Sequence, residues 1–216
     1  MKDISREQWL VLGMTWLGWV FDAMDATIYS LVLTPARSEL LPASGHAVTP
    51  ETIGWYGGII FSIFLMGWAI GGVVFGILAD RIGRTKVLII TILLYAGFTG
   101  LAALSTSWWD LALYRFLTAL GIGGEWAAGA ALVAETWPDH VRAKAAGFLQ
   151  SAWAVGFFVA AAAHLGLSAS SWRVLFLVGL LPASMRGDDE RIEALDLALS
   201  FESWRRLRQE QRLPVK

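Results

Sequence analysis

The chain has 216 residues, of which 56% are hydrophobic and only 16% charged, with a net charge of −1. Soluble domains carry about a quarter charged residues, so the composition excludes an ordinary soluble domain, and the near-neutral charge gives no sign of a nucleic-acid surface. With no cysteine, disulfides, cysteine zinc sites and thiol chemistry are excluded.

The first apolar run covers 9–33, preceded by Lys2 and Arg6. A secretory signal has a core of about 7–15 residues. This run is longer and is interrupted by Asp22 and Asp25, so it reads as an uncleaved spanning helix. About 20 helical residues cross a bilayer core, and further runs of that kind cover about 53–79, 87–104, 111–134 and 145–167. A sixth, 172–185, is short at about 21 Å of helix. The expectation is an all-α membrane protein: residues 1–8, a bundle of six helices over 9–185 with the sixth cut short, and a charged tail over 186–216. Segment 34–52, with its Pro, Ser and Glu, reads as the one long link. Twelve Trp suit the bilayer interfaces.

Sidedness follows the positive-inside rule. With the N-terminus inside, that side receives Lys2, Arg6, Arg81, Arg84, Lys86, Arg142, Lys144 and the basic residues of the tail, whereas the other receives Arg37 and Arg173. Both termini are therefore expected to be cytoplasmic, in a multi-pass protein of the plasma membrane.

Asp22, Asp25, Arg115 and Glu125 fall inside apolar runs. Each costs about 2.5–3.5 kcal/mol near a helix centre, and residues of this kind mark ion or substrate pathways. By helical rise, Asp22 and Asp25 stand about 20 and 24 Å above the inner surface and Arg115 about 21 Å. Either carboxylate can thus meet the arginine, and Tyr29 continues their helix face. Two carboxylates beside one arginine can take up and release a proton. Glu125, about 6 Å above the inner surface, and Gln150, about 9 Å, can line the inner half of a cavity with Trp126 and Trp153. The bland alternative is ion pairs that only hold the bundle together. His46 and His140 show no metal spacing, His164 reads as an interfacial residue rather than a proton relay, and glycines such as Gly67, Gly71, Gly121 and Gly123 fit close helix packing.

Two stretches carry a family resemblance. Gly76-Ile-Leu-Ala-Asp80-Arg81-Ile-Gly83-Arg84-Thr-Lys86 resembles the signature loop of the major facilitator superfamily. Arg115-Phe-Leu, Gly121-Ile-Gly-Gly-Glu125-Trp126, Ala134-Glu135-Thr-Trp137-Pro138 and Gln150-Ser-Ala-Trp153, with Phe21-Asp22-Ala-Met-Asp25, look like its sialate/monocarboxylate and aromatic-acid proton symporters. The resemblance covers about residues 10–184. It implies the N-terminal half of a secondary transporter, built from two inverted three-helix repeats with the substrate site between two halves. It also implies import of a small organic anion with protons, with Asp22, Asp25 and Arg115 in coupling and Asp80 bracing the loop against a second half. Neither a cofactor nor a metal is expected. The partners are the lipid bilayer, the anion, protons, and a second six-helix half or a homodimer. A non-transporting remnant or assembly subunit is the alternative, and a membrane enzyme would need a catalytic constellation that the sequence does not offer.

Overall fold

The structure, a computed structural model, describes residues 4–167 and 171–180. Among them are six helices and no strand: α1 (Arg6–Ala43), α2 (Pro50–Ile82), α3 (Arg84–Ala102), α4 (Trp108–Thr136), α5 (Asp139–Gly166) and α6 (Trp172–Val178). Helices α2 to α5 are each long and apolar enough to cross a membrane. The charged tail 186–216 and the end of the sixth apolar run lie outside the described residues.

The helices outrun their apolar cores because polar residues cap them. Ser5, Thr49 and Ser107 each accept from a backbone N–H three residues on, and Gln8, Thr52 and Asp110 reach back to close the capping boxes. Such caps satisfy amide donors that a helix start leaves open. Gln8 also donates to the Thr136 carbonyl at 2.6 Å, which ties the start of α1 to the end of α4.

Two expectations are corrected. The link placed at 34–52 is mostly helix, since α1 continues through Pro35 and Pro42 to Ala43. Both prolines sit on the exposed side, while Ala36, Arg37, Leu40 and Leu41 are buried. Burial of that stripe outweighs the lost amide bonds, and side chains bond the neighbouring carbonyls, Ser38 to Thr34 at 3.0 Å and Ser44 to Leu40 at 2.9 Å. The second correction concerns the 80–86 loop, which shrinks to one residue: α2 ends at Ile82, α3 begins at Arg84, and Gly83 between them has φ 99°. That left-handed conformation favours glycine.

Helix α4 packs chiefly on α2 and α3, and α1 on α5. Exchanging α1–α3 for α4–α6 turns the α1–α5 pairing into the α4–α2 pairing, as a three-plus-three repeat requires. Glycine sets the close approach of α2 to α4, because a Cβ at Gly71 would overlap the Leu120 backbone and one at Gly123 the Trp68 carbonyl. At the end of the bundle away from the N-terminus, Glu39 of α1 accepts from Trp172 Nε1 at 2.7 Å and pairs with Arg173 at 2.8 Å. This latch holds α6 on α1.

Candidate functional site

The intramembrane charges converge on the facing sides of α1 and α4. Arg115 Nη1 lies 2.9 Å from Asp25 Oδ2 and donates to Oδ1 at 3.2 Å. Both side chains are buried, at 0% and 1% exposure. Three aromatic rings collar the guanidinium, its Cζ standing 4.9 Å from the ring of Tyr29, 4.8 Å from Phe64 and 5.7 Å from Phe176. Rings at these distances attract a cation through their quadrupoles. Arg115 Nε and Nη2 are buried with no hydrogen-bond acceptor among the described residues. An arginine presents five N–H donors in a flat fork, so most of this fork is uncommitted.

Of the two carboxylates, Asp25 makes the pair. Among the described residues neither oxygen of Asp22 has a donor, although the residue is buried at 1%. Besides its burial, the groups that act on Asp22 are the carboxylates of Glu125 and Asp25. Glu125 is buried, its Oε2 also lacks a partner, and its carboxylate fills the space over Gly18 of α1, where a Cβ would collide with it. The site therefore divides into a compensated pair, Asp25–Arg115, and an uncompensated acidic pair, Asp22 and Glu125.

An indole cluster borders the acidic pair. Trp126 stacks on Trp19 at 4.3 Å and meets Trp68 and Trp153 edge-on at 5.7 and 5.8 Å, while Trp68 and Trp153 lie parallel at 6.0 Å. Helices α1, α2, α4 and α5 thus give one indole each. Trp126 and Trp153 come together as the sequence suggests. Gln150 does not join Glu125: it is exposed on α5, whereas Glu125 is buried. Phe64, Trp68, Phe176 and Gly18 are site neighbours that sequence reasoning missed. On a membrane helix an aromatic ring reads as packing or lipid contact, so only the spacing of Phe64 and Trp68, one turn apart, could have hinted at them.

At the motif turn, Arg84 bridges Asp80 at 2.6 Å and Glu135 at 3.0 Å. The turn is thereby pinned to the end of α4 within this bundle. Arg81 and Lys86 are exposed, Gly76 faces Ala127 of α4, and Gly83 makes the turn.

The family profile described as Major Facilitator Superfamily matches residues 15–183. The niacin transporter NiaP of Acinetobacter baylyi is 35% identical over 181 residues, 83% of this chain and 39% of its own length. The sialic acid transporter NanX of Escherichia coli is 32% identical over 182 residues, 84% of this chain and 42% of its own. The chain thus spans about two fifths of the length of the curated relatives it matches. Among solved structures, the xylose transporter XylE from E. coli in a partially occluded inward-open conformation superposes with a TM-score of 0.75 at 18% identity, over 97% of this chain and 58% of that one. At that identity the likeness concerns the fold.

Proposed function

The chain belongs to the Major Facilitator Superfamily, a family of multi-pass membrane transporters, and we propose that it is the N-terminal half of a proton-coupled symporter for a small carboxylic acid. One observation carries this reading. Arg115 is wholly buried, committed to Asp25 through a single nitrogen, and among the described residues has Nε and Nη2 without acceptors. A carboxylate that takes those donors forms the two-point contact for which the guanidinium plane is suited, and the aromatic collar holds the plane in place. Niacin and sialic acid, the cargo in the names of two relatives, both carry a carboxylate.

The roles divide as the geometry does. Arg115 and the Tyr29 hydroxyl, which has no partner among the described residues, receive the substrate carboxylate, and Asp25 positions the arginine. Trp126 and Trp153 contribute the apolar wall, with Trp68 added to them, and Gln150 faces the second half from its exposed position. Asp22 and Glu125 carry the proton. A buried carboxylate without a donor is costly as an ion, and the charged groups acting on Asp22 are the carboxylates of Glu125 and Asp25. Bringing a proton to this pair therefore lowers the cost of carrying an anion through the same bundle. Alternating access rocks the bundle against a second six-helix half, and the Arg84 clamp keeps the Gly76–Lys86 motif in register with α4 as it moves. The basic residues of the motif turn, with Arg142 and Lys144, support a cytoplasmic N-terminus in a plasma-membrane protein.

Uptake into proteoliposomes with an imposed proton gradient tests the reading, using radiolabelled nicotinate, benzoate and sialate with the chain alone and co-reconstituted with a second six-helix half. Gradient-dependent uptake of one of the three, lost in Arg115→Gln, is expected. No uptake in either preparation overturns the reading and leaves the non-transporting alternative.

A further inference from the structure

A second buried arginine stands one level beyond Arg115, and the roles above leave it unused. Arg37, in the last turns of α1, is 3% exposed. Its Nε donates to the Leu33 carbonyl at 2.8 Å, which turns the side chain back along the helix toward Tyr29. Its Nη1 occupies the space over Gly57 of α2, which any Cβ there would fill. Among the described residues no carboxylate reaches ion-pairing distance of this guanidinium.

Tyr29 lies within electrostatic reach of both Arg115 and Arg37, and its buried hydroxyl has no hydrogen-bond partner among the described residues. Two buried guanidiniums thus flank one uncommitted hydroxyl. The lower is neutralised by Asp25, whereas the upper has no counter-charge. Burying an unpaired charge is costly, and a glycine opposite it keeps room that an alanine would take. This is the arrangement of a cradle for an oxyanion.

We propose that Arg37, Gly57 and the Tyr29 hydroxyl form a second carboxylate subsite, toward the end of α1 away from the N-terminus, which receives the substrate before Arg115 does. The inference rests on the reading of the protein as a carboxylate transporter. The carboxylate docks on the Nη nitrogens of Arg37, and the Tyr29 hydroxyl donates to it as it passes between the two arginines. The occupant is the substrate rather than a lipid phosphate because the guanidinium is buried against α2 and turned inward toward Tyr29.

The test compares wild type, Arg37→Gln, Arg37→Lys and Gly57→Val. Benzoate, nicotinate and sialate are titrated into detergent-purified protein and assayed for uptake into proteoliposomes made with and without phosphatidylglycerol, with the chain alone and with a second six-helix half. Arg37→Gln and Gly57→Val are expected to weaken binding and raise KM about tenfold with kcat within twofold, and Arg37→Lys to recover part of the loss. A wild type that binds and transports while Arg37→Gln keeps its affinity and KM overturns the subsite and leaves the proposed function standing. A wild type that neither binds nor transports any of the three acids, alone or with the second half, overturns both. Should phosphatidylglycerol raise the wild-type KM, and Arg37→Gln abolish that dependence, a headgroup phosphate is the occupant and the substrate assignment falls.

Discussion

Asp25 and Arg115, ninety residues apart in sequence, meet at 2.9 Å with neither side chain reaching solvent. Within the bundle this contact joins α1 to α4, the first helices of the two repeats. Replacing the carboxylate leaves the guanidinium uncompensated among Tyr29, Phe64 and Phe176, and breaking a buried pair in this way costs about 3–5 kcal/mol. Asp25→Asn is therefore expected to lower the thermal midpoint strongly in detergent, followed by intrinsic tryptophan fluorescence. The double variant Asp25→Asn/Arg115→Gln removes both charges and is expected to regain most of that loss, with uptake absent in each.

Asp22 predicts the opposite pattern. Among the described residues its side chain makes no hydrogen bond and no ion pair, so Asp22→Asn removes a charge without stranding another. Its melting temperature is expected to match or exceed that of the wild type. Gradient-driven uptake is expected to be lost while exchange of preloaded substrate survives, since exchange needs the arginine and not the proton. An Asp22→Asn protein that melts as low as Asp25→Asn contradicts the division of the two carboxylates.

Much of this site is legible in the sequence, because charge in an apolar run must be paid for by function. Depth along the helix axes brings Asp22 or Asp25 level with Arg115. It does not choose between them, since residues three apart differ by about 60° around a helix and the tilt of α1 against α4 decides. The path of α1 past Leu33 is illegible for a different reason. Proline, serine and glutamate signal a loop locally, and only the burial of Ala36, Arg37, Leu40 and Leu41 in the assembled bundle overrides that signal. Arg37 itself reads as an ordinary extramembrane charge until the helix that carries it is seen to continue.

Helix approach gives a third expectation. At Gly123 a Cβ would overlap the Trp68 carbonyl, whereas nothing lies within 4 Å of a Cβ added at Gly97. Gly123→Ala forces α2 and α4 apart and is expected to cost about 1–3 kcal/mol, the usual range for overpacking. Gly97→Ala, on α3, is expected to leave the melting curve unchanged or raise it, because alanine favours the helix over glycine. Equal melting of the two variants contradicts a backbone-to-backbone α2–α4 contact.

The clamp at the motif turn is a matter of local motion more than of global stability. Arg84 is partly exposed, at 22%, and reaches both Asp80 and Glu135. Ion pairs in such settings contribute about 0–1 kcal/mol, so Arg84→Gln and Glu135→Gln are each expected to shift the melting temperature little. Each nevertheless frees the α2–α3 turn from α4, because Arg84 is the residue that spans both. Hydrogen–deuterium exchange is expected to rise over residues 80–86 and near 135 in either variant. The double variant is expected to exchange no faster than the singles, since one broken link is already broken. Raising the salt to about 1 M, where screening acts over about 3 Å, should move the wild type toward the variants. Additive increases in the double variant would show that Arg84 and Glu135 act independently and that the turn is held by something else.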